Sequence, residues 1–190
     1  MKEETAMAAK SKHIFIRRAS AEDARILSDM GELTFTRSYA SIIAAKELAS
    51  YTRRAFAVEQ LESELAMPEV TYFLALAGTI PCGYSKLGPT EPPPTVEGAN
   101  PVELARLYVL PERTGTGIGT ELLNVSLDAA VEQDYHSCWL RVWEGNDKAI
   151  EFYRRWGFRQ VGSELYHVGK CSETVLLMIR DLARRSPGND

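Results

Sequence analysis

Residues 104–124, Leu-Ala-Arg-Leu-Tyr-Val-Leu-Pro-Glu-Arg-Thr-Gly-Thr-Gly-Ile-Gly-Thr-Glu-Leu-Leu-Asn, constrain this chain more than any other stretch. Leu104, Leu107, Tyr108 and Val109 are strand formers, and Pro111 ends the run. Gly115, Gly117 and Gly119 then alternate with Thr114, Thr116 and Ile118, and Leu122, Leu123 and Ser126 begin a helical spacing. The reading is a strand, a glycine turn and a helix start. Small residues let backbone amides come close to a ligand. A helix N-terminus adds unpaired donors and partial positive charge, so the turn suits phosphate oxygens. Gly-x-Gly-x-Gly also serves ordinary strand-to-helix turns, and alone it leaves both uses open. No Gly-Lys-Ser/Thr follows the glycines, so the lysine and magnesium-binding hydroxyl of a P-loop are missing.

A chain of 190 residues fits one domain with a sizeable core. The expected organisation is a flexible tail over 1–12, one domain over 13–182 and a polar tail over 183–190. The net charge of −4 argues against nucleic acid as a partner and is compatible with a cationic substrate. Cys82, Cys138 and Cys171 are odd in number and far apart, which favours a reducing compartment over a disulfide scaffold. His13, His136 and His167 are equally scattered, and no Cys/His spacing matches a metal site. No apolar run reaches the roughly 20 residues that span a bilayer, and the N-terminus lacks the apolar middle of a secretory signal. The expected location is the cytoplasm, with no membrane partner.

Along the chain, His13–Arg18 reads as a first strand. Ser20 and Asp23 form a capping-box variant that opens a helix burying Ala24, Leu27 and Met30, with Asp23 and Arg25 facing elsewhere. Residues 32–66 read as broken helix. Ile42, Ile43, Ala45 and Leu48 form one buried stripe and Phe56, Leu61 and Leu65 another, with Glu59, Glu62 and Glu64 on the wet side. Thr71–Ala77 and Cys82–Leu87 read as a hairpin around a turn at 78–81. The proline-rich stretch from Gly88 to Pro101 reads as an exposed loop. A helix follows the glycine turn to about Gln133, then a strand at Ser137–Trp143. The next helix has Asn146 as N-cap and Gly157 as left-handed C-terminal cap. Strands beginning at Phe158 and covering Thr174–Ile179 complete an α/β or α+β domain with a mixed sheet.

Two segments in this order carry a resemblance. Leu107–Leu123 and Val142–Phe158 resemble the GCN5-related N-acetyltransferase (GNAT) superfamily over about His13–Leu182. Within it the chain is similar to the PaiA branch, described as spermidine/spermine N-acetyltransferases, through Ala55–Leu65 and Trp139–Asn146. The resemblance implies a mixed, mostly antiparallel sheet flanked by helices and splayed between two parallel central strands. It implies acetyl-CoA as co-substrate without a metal, a small-molecule amine as acceptor with polyamines first, and a homodimer at the family level. The superfamily's pyrophosphate turn reads Gln/Arg-x-x-Gly-x-Gly/Ala. Thr114, Gly117 and Gly119 take those places here, and Thr114 departs from the pattern while Arg113 stands one residue earlier.

The residue roles follow from the resemblance. Leu107, Tyr108 and Val109 would pair with the pantetheine arm, the Val109 amide facing the thioester carbonyl. Amides from Thr114 through Gly115, Thr116, Gly117, Ile118 and Gly119 to Thr120 would hold the pyrophosphate. Asn146 and Arg155 would add cofactor contacts, although Asn146 is equally a helix cap and Arg155 equally a solvated helix residue. Tyr153 stands where the superfamily commonly has its general acid, and otherwise packs on the helix face of Ile150. Glu103 falls where some members carry a glutamate base; a water chain is the alternative. Trp143 and Phe152 read as core or pocket wall. Cys138 has no base beside it in the sequence, so transfer is expected to be direct. A CoA-binding regulator or adaptor is the competing reading.

Overall fold

The computed structural model describes residues 14–182. His13 and the two expected tails lie outside the described residues. Seven strands form one sheet in the order β1-β2-β3-β4-β5-β7-β6. They are β1 Ile14–Arg18, β2 Thr71–Ala77, β3 Ile80–Gly88, β4 Pro101–Val109, β5 Ser137–Trp143, β6 Arg159–Val168 and β7 Cys171–Asp181. All neighbours are antiparallel except β4 and β5 at the centre. This is the mixed, mostly antiparallel sheet that the resemblance implies.

Helices cover both faces. On one face lie α1 (Ala24–Tyr39), α2 (Ala45–Ala55) and α3 (Val58–Leu65); on the other lie α4 (Ile118–Glu132) and α5 (Asp147–Arg155). Strand alternation sorts β2 between them. Tyr72 and Leu74 pack with Leu27, Met30 and Leu61, while Phe73 and Ala75 share a core with Leu122, Leu123 and Ile150. A strand covered on both faces reads as continuously apolar, as Tyr-Phe-Leu-Ala-Leu-Ala does.

Several local expectations change. Ala77 pairs with Ile80, so the hairpin turn is Gly78-Thr79 alone, with Gly78 at φ +64. Ile80 and Pro81 belong to the returning strand. The loop between β3 and β4 is not wholly exposed, because Val96 is buried against Trp139, Leu177 and Ile179. Ala45 is exposed, and only Ile43 and Leu48 of its stripe are buried.

Two acidic residues expected away from the apolar helix faces are buried. Glu64 on α3 meets Lys86 at 2.8 Å and Arg106 at 3.8 Å, and it also accepts from the Tyr72 hydroxyl. Lys86 and Arg106 are cross-strand partners on the face that α3 covers. Helical spacing could not show cations arriving from two distant strands. Burial pushes the Glu64 carboxyl up, but Lys86, Tyr72 and Arg106 outweigh it and hold it below its ordinary value.

Asp23 is the other. Its carboxylate accepts from both Arg17 terminal nitrogens at 2.7 Å and from the Ser20 amide at 2.8 Å. This ties β1 to the short 3-10 turn at Ala21–Asp23 that leads into α1. The Arg17 hydrogen bonds hold the Asp23 carboxyl below its ordinary value against the effect of burial. The pair therefore stabilises the fold above the ordinary carboxylate range, and that contribution fades as pH falls through the lowered value. Asp23→Ala is expected to cost about 2 kcal/mol at neutral pH. Urea unfolding checks this, and the gap from the parent protein should narrow near pH ~3.

Candidate active site

The site begins where the central parallel pairing stops. β4 and β5 pair over three positions, Pro101↔Ser137, Val102↔Cys138 and Glu103↔Trp139. Beyond them β4 stays bonded to β3 through Val109, and β5 stays bonded to β7 through Trp143. Leu104 faces Leu87 and Arg106 faces Lys86, which leaves Ala105 as an extra residue in β4. Such a bulge bends its strand and increases its twist. The bend opens a wedge between β4 and β5, and Ala105 is exposed in mid-strand.

The wedge is a cleft of about 470 Å³. Leu107, Tyr108, Val109 and Thr114 line one wall, Val142, Trp143, Asn146 and Tyr153 the other, and Arg37 and Tyr39 of α1 the rim. Among the described residues, the edge of β4 from Leu107 to Val109 has no partner strand on this side. At its far end the chain makes a 3-10 turn at Pro111–Arg113 and enters α4. Gly115 and Gly117 have φ +75 and +91, where other residues are strained. Among the described residues, the backbone amides of residues 115–120 donate to no acceptor. The Thr114 and Thr116 hydroxyls turn back onto the carbonyls of Pro111 and Arg113, at 2.9 and 2.6 Å. What the turn offers is therefore backbone amides, with no side-chain cap at the start of α4.

The cleft adjoins a second recess of about 220 Å³. Tyr39, Ala105, Arg106, Tyr108, Arg141 and Trp143 line both spaces and mark the junction. Glu103 is buried in the recess, where its carboxylate accepts from Arg141 at 2.5 Å. Arg141 also donates to Glu164 of β6 at 2.5 Å. Two carboxylates thus share one guanidinium.

The acetyltransferase (GNAT) family model matches residues 37–158, well over half the chain. The chain belongs to the GNAT acetyltransferase family. It is an acetyltransferase, and enzymes of this family take the acetyl group from acetyl-CoA. The spermidine N(1)-acetyltransferase of Thermoplasma acidophilum is 27% identical over 150 residues, covering 77% of this chain and 88% of the relative. An uncharacterized N-acetyltransferase from the pepI 3' region of Lactobacillus delbrueckii subsp. lactis is 25% identical over 150 residues, covering 78% and 86%. A crystal structure of PaiA N-acetyltransferase from Thermoplasma acidophilum in complex with coenzyme A superposes with a TM-score of 0.71. That pair is 24% identical, over 89% of this chain and 99% of the other.

Against this GNAT frame the residues singled out in the sequence fall into three places. Leu107, Tyr108, Val109, Thr114, Asn146 and Tyr153 line the cleft. Asn146 caps α5 as well, its side chain accepting from the Ala149 amide at 3.2 Å. Gly115, Thr116, Gly117, Ile118, Gly119 and Thr120 form the turn at the end of the free β4 edge, with Ile118 buried beneath it. Glu103 lies in the recess. Arg155, at the last position of α5, is exposed and lines neither space.

Tyr153 is 9% exposed and packs edge-on against Phe152 and Phe158. Burial, with Cys138 and Tyr39 adding to it, pushes its phenol well above the ordinary value. Trp143 is wall to both spaces, and Phe152 packs against the core. Sequence reasoning missed Tyr39, Arg106, Arg141, Glu164 and Tyr166. The alternation of Ser137–Trp143 could have placed Arg141 on the face opposite Leu140 and Val142, but nothing local shows what it meets there.

Gly117 tests the turn directly. In Gly117→Val a branched side chain must adopt φ +91, which strains the backbone that aims the amides. Coenzyme A affinity, measured by titration calorimetry, is expected to fall at least about tenfold.

Proposed function

We propose that this chain transfers an acetyl group directly from acetyl-CoA to a primary amine of a small molecule, through one catalytic domain spanning residues 13–182. The observation that carries this reading is that two spaces adjoin along β4. The cleft with its free strand edge and the recess with Glu103 share Tyr39, Ala105 and Arg141 as lining. Donor in one space and acceptor in the other would meet at that junction.

The residues fit the cofactor. Unbonded amides at 115–120 suit a pyrophosphate, and the N-terminal end of α4 adds partial positive charge. The free edge from Leu107 to Val109 suits the amide groups of a pantetheine arm, with the Val109 amide toward the thioester carbonyl. Thr114, in the place of the family's Gln or Arg, leaves the holding of phosphate to the backbone. Acetyl-CoA supplies the carbon that the amine lone pair attacks, the C–N bond forming as the C–S bond breaks and its electron pair leaves on sulfur. Tyr153 gives its proton to that sulfur. Burial keeps its phenol protonated through neutral and mildly alkaline pH, so it enters each turnover as an acid. Glu103 takes the proton lost by the amine, directly or across a water molecule.

A covalent acyl-cysteine route has no support. None of the three cysteines lines either space, and burial pushes the Cys138 thiol up to about 12. All three are unpaired, in keeping with a reducing compartment such as the cytoplasm. Polyamines are the acceptors that the Thermoplasma relative suggests, and spermidine and spermine belong in the assay panel.

Release of free thiol from acetyl-CoA with a panel of primary amines tests the activity. No turnover with any amine, with coenzyme A binding retained, would favour the CoA-binding regulator instead. Tyr153→Phe is expected to lower kcat about 100-fold or more while coenzyme A affinity stays within about twofold. Glu103→Gln should lower kcat/KM by a similar factor; a loss under about tenfold would assign the amine proton to water alone. With an acid of raised pKa and an amine that must be neutral, kcat/KM should rise with pH and show no descending limb below pH ~10.

A further inference from the structure

The recess bears on which amine is taken, and its part in choosing an acceptor rests on acetyl transfer being the activity of the cleft. We infer that the acceptor is a primary monoamine carrying a flat aromatic body, as distinct from an oligocation. Three observations lead there.

The first is the wall. Phe35, Tyr39, Tyr51, Tyr108, Trp143 and Tyr166 line the recess. They come from α1, α2, β4, β5 and β6, so the aromatic lining encloses the space from several directions. Tyr51 stacks on Phe35 with ring centres 4.7 Å apart and meets Tyr166 edge-on. The Tyr51 and Tyr166 hydroxyls bond each other at 2.8 Å. One hydroxyl donates to the other, so one O–H proton of the pair is left over, while both rings line the recess. Offset and edge-on ring contacts of this kind favour an aromatic guest beyond simple burial.

The second is charge. The ionisable groups lining the recess are Lys86, Glu103, Arg106 and Arg141. With the carboxylates that pair with them they form two sets. Glu103, Arg141 and Glu164 carry a formal −1, and Lys86, Arg106 and Glu64 carry +1. One ammonium is balanced beside the first set, next to the junction with the cleft, where Arg141 lines both spaces. Glu164 is the more exposed of its two carboxylates. A second ammonium farther along would face Lys86 and Arg106. Arg106 is stacked over Phe56 at 4.7 Å and bonded to Tyr72 and to the Ala55 carbonyl, so it is held in place.

The third is size. A recess of about 220 Å³ is smaller than the ~300–1,000 Å³ that drug-sized ligands occupy. It accommodates a single ring with a short alkylamine arm.

The test compares kcat/KM for 2-phenylethylamine, tyramine and tryptamine with that for putrescine, spermidine and spermine, at low and high salt. The best arylalkyl monoamine is expected to exceed spermidine and spermine at least about tenfold, with little salt dependence. Tyr166→Leu should raise KM for that monoamine about three- to tenfold with kcat within about twofold, whereas Tyr166→Phe, which keeps the ring, should leave KM nearly unchanged. Spermidine or spermine matching the best arylalkylamine overturns the inference and leaves amine acetylation standing. An unchanged KM in Tyr166→Leu overturns the aromatic wall as the selecting feature. No thiol release with any amine, while coenzyme A still raises the melting temperature, overturns acetyl transfer and this inference with it.

Discussion

The short parallel ladder between β4 and β5 is the constraint on which the rest of this structure depends. Three paired positions join the two halves of the sheet, and beyond them each strand is braced only by its outer neighbour. A parallel pair in an otherwise antiparallel sheet needs a long crossover, and α4 supplies it. The bulge at Ala105 then turns β4 away. Without the separation there would be no free strand edge. With a longer separation the halves would lack a common core, which Val102, Leu104, Cys138 and Leu140 now provide beside the wedge.

The crossover also aligns the proposed chemistry. Because α4 starts just after the free edge ends, its unbonded amides lie in line with Leu107–Val109. Glycine at φ +91 lets the chain reverse there without a side chain in the way. The next helix, α5, begins at the end of β5 and carries Tyr153 into the same wedge from the opposite wall. Strand edge, amide turn and phenol thus depend on one backbone path from β4 to α5, and alternation along β4 turns Tyr108 toward the recess while Leu107 and Val109 meet the core.

The recess has a different origin. Its walls come from α1, α2, β3, β4, β5, β6 and β7, and its charges are held in shared pairs across distant elements. Buried charges persist when each has a partner, and here single groups serve two partners at once. Arg141 serves Glu103 and Glu164; Glu64 serves Lys86 and Arg106. Such sharing keeps the lining close to neutral while leaving carboxylate oxygens near the junction. It is also why a list of acidic residues misjudges the surface, since Glu64 belongs to the interior.

Features bound by neighbours in the chain were legible before any coordinates. Strand, glycine turn and helix at 104–124, the Asn146 cap and Gly157 stop around α5, and the hairpin at β2–β3 follow from propensity, turn chemistry and capping, each set within a few residues. So was the mixed sheet, once two motif segments stood in order. Boundaries slipped where pairing decides them. Ile80 and Pro81 joined β3, and Pro101 joined β4, because partners across the sheet extend a strand beyond its own preference. Whether Glu103 stands free or bonded, whether Arg155 reaches the cleft, and which aromatics enclose the recess were decided only by the fold. Glu103 and Arg141 are far apart in sequence, as are Tyr51 and Tyr166, and a side chain's charge partner or ring neighbour is fixed by which elements pack together. Local sequence determined the backbone that can hold a donor; tertiary packing decided the surroundings of the amine.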